Sequence, residues 1–359
     1  MRSFVILAAV AGAAIVAAAF GGGGEAEPLV EQTTAAGSSL LAFSSDSDGH
    51  PEVFALRFPG GEPRRLTRDP AFDGSPVWAP DGRSLLFVSD RTGNYDIWRV
   101  RPDGSGLQQL TRSPEDDSAP GWSPDGSEIV YRSYRAPSYD LFTMRADGSG
   151  RQAITADFSD DLEPKWSPRG NLIAFVRSCT EPQPCMKDAK TRIDGGGQLY
   201  VVGAHGGRQR RLSRGSVVVS DPQWSPRGNL IAFVSTEAAN ADVYVIRPDG
   251  AGLRRLTLGA AADVGPRWSP DGRRIVFVSS RDGDDEVYVM NSDGSGQLNL
   301  TRNRAADEVP RWSPDGRQIF FVSDRTGRNQ LFVMNADGSR QERLASIEAI
   351  YSDLAVAPR

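Results

Sequence analysis

Beyond residue 20 the chain shows no apolar period of 3.6 residues; short β-branched and aromatic runs recur instead, each closed by a turn. One unit shows the pattern. Arg274–Ser279 (RIVFVS) and residues 286–290 (EVYVM) predict strands, because stiff branched and aromatic side chains suit a pleated, half-buried surface. Between residues 266–268, which predict an inner strand, and the RIVFVS run lies SPDG at 269–272. Its proline presets φ and its glycine accepts positive φ, so it predicts a tight turn. A further turn at 291–296 (NSDGSG) leads to a fourth strand at 297–301 (QLNLT).

The unit repeats. Trp78, Trp122, Trp166, Trp224, Trp268 and Trp312 each open a phrase close to WSPDG, at spacings of 44, 44, 58, 44 and 44 residues. A further step of 44 reaches Val356-Ala357-Pro358-Arg359, a worn copy with nothing after it, while Leu40-Leu41-Ala42-Phe43 matches 84–87 without a tryptophan phrase of its own. The final residues therefore supply the opening of a unit whose remainder sits at the start. Seven units of 44 residues and one excess of 14 fill 38–359, a length of 322. Four antiparallel strands per unit of this size predict an all-β, seven-bladed β-propeller, closed by the C-terminal strand joining the N-terminal blade.

The consensus P-x-W-S-P-D-G, I-x-F-x-S-x-R, [D/E]-[V/I/L]-[Y/F/W]-x-M, D-G and L-T resembles the propeller repeat of TolB-family proteins, and is similar to the propellers of tricorn and prolyl-oligopeptidase-type peptidases. The resemblance covers 38–359. It implies a non-enzymatic binding propeller of the cell envelope. TolB proteins carry an α/β domain ahead of six blades; here a linker precedes Ser38 and seven blades are counted.

Composition changes the picture at three points. A net charge of −5, with arginines spread beside aspartates, argues against a nucleic-acid partner. Met1-Arg2-Ser3, the apolar run 4–20 and its Ala17-Ala18-Ala19 end have the layout of a signal peptide, followed by a linker at 21–37. The expected location is therefore exported: periplasmic, cell-envelope or secreted, with a membrane role only if 4–20 stays uncleaved. The 14-residue excess falls in an insertion at about 177–197 that holds both cysteines, Cys179 and Cys185, and a local disulfide is expected.

Candidate chemistry is sparse. The repeated tryptophans, and Trp98, read as packing between blades. Five residues before a tryptophan stand Asp73, Asp117, Asp161, Asp263 and Asp307, with Lys165, Arg267 and Arg311 four residues onward. They predict a polar ring at the channel mouth. It reads either as a cation or recognition site, or as aspartates capping loop N–H groups. A second acidic series, Glu52, Asp96, Asp140, Asp242 and Glu286, follows Arg91, Arg135 and Arg281 at hairpin distance and predicts ion pairs across the hairpin. His50 and His205 fall in different blades, and no G-x-S-x-G phrase occurs, so no catalytic triad, zinc site or cofactor is expected. A carboxylate pair serving a glycoside hydrolase or lyase at the channel mouth stays open as the competing reading. The expectation is a monomeric platform for an envelope protein or glycan.

Overall fold

The computed structural model describes residues 38–47, 49–178, 185–186, 192–193, 197–213, 218–238, 240–344 and 353–358. The signal-peptide and linker assignments, and the Cys179–Cys185 bridge, lie outside the described residues.

Seven four-stranded antiparallel sheets follow one another along the chain. Six run in plain order. Blade 6, for example, is built from Asp263–Trp268, Arg274–Ser279, Glu286–Asn291 and Leu298–Asn299. The inner strands of blades 2 to 7 are Asp73–Trp78, Asp117–Trp122, Asp160–Trp166, Val219–Trp224, Asp263–Trp268 and Asp307–Trp312. Blade 1 is the exception. Its Ser39–Ser45 and Glu52–Phe58 strands pair along their full length, and Ala355–Val356 adds the inner strand, Leu41 opposite Val356 and Ala42 opposite Ala355. The Ala357 amide donates to the Leu40 carbonyl at 2.8 Å, extending the seam. The expected closure is present.

A blade presents apolar side chains on both faces, so the core must lie between blades rather than inside them. Among the described residues seven apolar clusters occur, one at each blade–blade interface. Phe43, Phe54 and Leu56 of blade 1 pack on Phe320, Val322 and Leu331 of blade 7. On the other face of blade 1, Ala42, Val53 and Leu66 pack on Trp78, Leu85 and Phe87 of blade 2. Fully burying a phenylalanine or leucine contributes about 1.5–3 kcal/mol, which makes each interface a sizeable stabilising unit. The repeated tryptophans also tie inner strands together: the indole N–H groups of Trp166, Trp224, Trp268 and Trp312 donate to the carbonyls of Gly121, Lys165, Gln223 and Arg267 in the preceding blade, at 2.9–3.2 Å.

The SPDG turns form as their chemistry predicts. Ser269 Oγ donates to Asp271 Oδ1 at 2.6 Å, Asp271 accepts the Arg273 amide, and Gly272 takes φ of 71°, a value that favours glycine. The inner strand differs from expectation, starting at Asp263 rather than at 266. The register slips between Val264 and Arg267. That bulge breaks the period-2 pattern from which a strand start is read. Across the insertion, Leu172–Ser178 and Gln198–Gly203 keep an unbroken register, and a small ladder pairs Cys185 with Ile193 and Met186 with Arg192.

Candidate functional site

The five aspartates at the start of the inner strands are 0–2 % exposed. They do not form an open acidic ring. Each is met by an arginine: Arg91 on Asp73 at 2.7 Å, Arg151 on Asp117 at 3.4 Å, Arg177 on Asp161 at 2.6 Å, Arg281 on Asp263 at 2.9 Å and Arg325 on Asp307 at 2.9 Å. Each guanidinium also lies over a third-strand aromatic ring, at 4.6 Å for Trp98, 4.5 Å for Phe142, 5.0 Å for Tyr200, 4.7 Å for Tyr288 and 4.6 Å for Phe332. Burial raises the carboxyls of Asp73, Asp117 and Asp161, and the arginine opposes that rise in each. The arginine comes from the second-to-third-strand turn in blades 2, 6 and 7, from just ahead of the outer strand in blade 3 and from the second strand in blade 4. A carboxylate edge and an aromatic face define one guanidinium seat, and different sequence positions fill it.

The expected hairpin pairs are therefore corrected. Arg91 and Arg281 turn inward to Asp73 and Asp263, and Arg135 pairs with Glu115 at 3.0 Å. The third-strand acids bind the outer strand instead. Thr111 Oγ1 donates to Asp96 at 2.9 Å and Thr301 Oγ1 to Glu286 at 2.6 Å, while the same hydroxyls accept the amides of Ile97 and Val287.

The bulge residues of the inner strands are those that sequence reasoning passed over. Three residues before each tryptophan the inner strand bulges, and Ser75, Ala119, Glu163, Asp221 and Val309 hold φ of 51–57°, with Gly265 at 65°. Positive φ is costly for any residue with a Cβ, and most of all for a branched one such as Val309. At these bulges neighbouring inner strands touch. Glu163 accepts the Asp221 amide at 2.6 Å, and Asp353, the equivalent residue of blade 1, accepts the Ser75 amide at 2.7 Å and the Ser44 amide at 3.0 Å. The column reads Ser, Ala, Glu, Asp, Gly, Val, Asp around the ring. Such variation inside an otherwise regular repeat was the available signal.

One residue before the tryptophan, the side chains line a cavity of about 500 Å³ at the mouth formed by the SPDG turns. Lys165, Gln223, Arg267 and Arg311 come from four consecutive blades, and Ala355 and Val77 from the next two. The structure thus brings Lys165, Arg267 and Arg311 together, but at the opposite end of the channel from the loops that carry the five aspartates. Arg267 Nη1 donates to Asp221 at 2.7 Å, and Gln223 Nε2 to the other oxygen of that carboxylate at 2.7 Å. Burial pushes Asp221 up, but Arg267 and Lys165 outweigh it and hold the carboxyl below its usual range. Lys165 is open to channel water yet enclosed by the ring. Desolvation, with repulsion from Arg267 and Arg311 added, pushes its ammonium down against the pull of Asp221 and Glu163. Desolvation and Arg267 likewise push the Arg311 guanidinium down to about 9.

The other mouth carries an aromatic group confined to blades 2 and 3. Phe72 and Tyr95 stand edge to face at 5.8 Å, Tyr134 and Tyr139 at 5.2 Å, and Arg132 lies 4.9 Å from the Tyr139 ring. The Tyr95 and Tyr139 amides donate to Asp116 and Asp160, each at 3.0 Å. Gly74 makes room for Phe72, whose ring would lie 2.6 Å from a Cβ at that position. Among the described residues no three His, Cys, Asp or Glu side chains are placed to hold a metal, and no helix is long and apolar enough to cross a membrane.

Residues 34–181 and 259–359 match the TolB beta propeller domain. The chain belongs to that family. A segment of 47 residues is 43 % identical to the Tol-Pal system protein TolB of Desulfosudis oleivorans, spanning 13 % of this chain and 11 % of that protein's length. Among solved structures, the TolB-type propeller described here is similar to an oligogalacturonate lyase from Vibrio parahaemolyticus, with 15 % identity, TM-score 0.63, and 86 % of this chain and 85 % of that one covered. It is also similar to a puromycin-hydrolyzing peptidase from Mycobacterium tuberculosis, with 15 % identity, TM-score 0.67, and 88 % of this chain and 53 % of that one covered. At such identities the likeness is one of fold.

Proposed function

We propose that this TolB-type propeller is an exported, non-enzymatic binding platform that recognises a protein or glycan of the cell envelope. The docking face is the mouth formed by the second-to-third-strand turns. The observation that carries this reading is the half-exposed aromatic group Phe72, Tyr95, Tyr134 and Tyr139, which breaks the sevenfold regularity of that mouth. One phenylalanine and three tyrosines with polar tips, rimmed by Asp116, Asp160 and Arg132, give contact area at low entropic cost and suit either a protein surface or a sugar face. The buried pairs of Asp73, Asp117, Asp161, Asp263 and Asp307 hold the loops of this face in place rather than touch the partner. Family membership supports the binding role, and the apolar run at 4–20 supports export.

The test is capture from a native envelope extract by the full chain and by a Tyr95→Ala, Tyr139→Ala variant of equal melting temperature. The variant is expected to lose the captured partner. Unchanged capture would remove this face from recognition. Turnover on a polysaccharide panel, abolished by Glu163→Gln, would replace the binding reading with an enzymatic one.

A further inference from the structure

We propose that the opposite mouth, walled by the SPDG turns, is a separate oxyanion-binding site that takes a carboxylate carried on a small apolar body. Three cations line the cavity, and among the described residues only Arg267 makes an ion pair, with Asp221 at 2.7 Å. Arg311 is held in place by two backbone carbonyls, Leu354 at 2.9 Å and Pro310 at 3.0 Å, and has no ion pair among the described residues. Lys165 makes neither a hydrogen bond nor an ion pair among the described residues. The other acids near the axis direct their hydrogen bonds to the backbone rather than to these cations: Glu163 accepts the Asp221 amide, and Asp353 accepts the amides of Ser75 and Ser44. Local carbonyls do not help, because those of Lys165, Gln223 and Arg267 accept the tryptophan N–H groups of the next blades. Lys165 and Arg311 thus present donors to the cavity with no ion pair among the described residues. Asp221 and Glu163 act on the lysine, and Asp221 and Asp353 on the arginine, only through space, and a bound oxyanion would take up the free donors.

The opposite wall sets the rest of the ligand. Val77, Pro76, Ala355 and Ala357 face the cations with no polar side chain among them. A ligand would lie across the cavity, its carboxylate toward Lys165 and Arg311 and its apolar part toward blades 1 and 2. The cavity of about 500 Å³ falls within the range of small-molecule sites, about 300–1,000 Å³. Such a carboxylate can be a free organic acid or the end of a peptide chain, since the recognised chemistry is the same. The depressed Lys165 and Arg311 are consistent with cations crowded together in the unliganded state. The site lies at the far end of the channel from the aromatic face, so either assignment can fail without the other.

Calorimetric titration of the full chain with benzoate, with neutral benzamide and with N-acetyl-Ala-Leu carrying a free or an amidated C-terminus tests the proposal. Benzoate and the free-acid peptide should bind at least about tenfold more tightly than their amides, and Lys165→Met should weaken both by about tenfold. A peptide that binds better than benzoate identifies a chain end as the source; the reverse identifies a free acid. Arg311→Lys, which keeps the charge but not the fork, should retain part of the affinity. Equal affinity of acids and amides, unchanged binding in Lys165→Met, or no binding of either acid by about 10 mM would overturn the proposal. Because Lys165 makes no hydrogen bond or ion pair among the described residues, its substitution reads binding rather than folding, and a melting curve on each variant checks that.

Discussion

Two sets of positions on the same inner strands behave in opposite ways. Five residues before the tryptophan, blades 2, 3, 4, 6 and 7 all place a buried aspartate against an arginine stacked on an aromatic ring. Two and four residues further on, beside the axis, almost no residue type is shared between blades: Ser75, Ala119, Glu163, Asp221 and Gly265 at one level, and Val77, Gly121, Lys165, Gln223 and Arg267 at the next. The blades share one backbone, so the contrast comes from what each position must do. A position inside a blade meets much the same neighbours from one blade to the next. A position at the axis meets a single shared space, where only the sum of seven side chains matters. Regularity marks the scaffold, and its failure marks the places where a ligand could be distinguished.

That contrast is open to direct attack. The largest effect is expected from Asp73→Asn, which leaves the Arg91 guanidinium short of its carboxylate in a buried seat. Breaking one partner of such a pair costs about 3–5 kcal/mol. Ser75→Ala, two residues along the same strand and at an exposed side chain, should stay within about 0.5 kcal/mol. Chemical denaturation measures both, and equal costs would erase the distinction between the two columns.

The bulge gives a smaller, sharper test. Gly265 holds φ of 65°, and a Cβ there would meet nothing within 4 Å, so Gly265→Ala isolates the backbone term. It should cost about 1 kcal/mol, while Ala119→Gly, at φ of 51°, should be neutral or slightly stabilising. A Gly265→Ala variant as stable as the parent would mean that the bulge carries no strain.

The smallest effect concerns Lys165. Its folded-state basicity is lowered by desolvation and by Arg267 and Arg311. A base that is weaker in the folded state carries its full penalty at neutral pH and sheds it as pH rises through the folded value. Lys165→Met should therefore raise the melting temperature slightly at neutral pH, with the gain fading in alkaline buffer. A gain that grew with pH would contradict the assigned cause.

Much of the architecture was legible because the repeat is written in residues with one dominant role. Trp78 to Trp312 give the blade count, and the pairing of Leu41 with Val356 follows from where the period runs out at each end. The side-chain partners were less legible. Arg91 stands five residues before Asp96, so sequence distance favours a hairpin pair, yet its long side chain reaches Asp73 because the Trp98 ring offers it a seat. The channel lining was only half legible. Lys165, Arg267 and Arg311 were expected at a channel mouth, but simple alternation groups Lys165 with Asp161. The extra residue between Leu162 and Lys165 in blade 4 breaks that grouping and sends the two to different surroundings. The aromatic group at Phe72, Tyr95, Tyr134 and Tyr139 comes from four separated loop and strand-end positions that only folding brings into one place.

The seam at blade 1 has a consequence for how the protein is made. A ribosome delivers Ser39–Ser45 long before Ala355–Val356, so until that inner strand arrives the first sheet has a bare edge with its N–H and C=O groups exposed. Every intermediate made before that strand thus carries a surface primed to recruit a stray strand from another copy, and escape from that hazard comes only when Ala355–Val356 is added. Chaperone demand should therefore track the time spent awaiting the last strand rather than the stability of the finished ring.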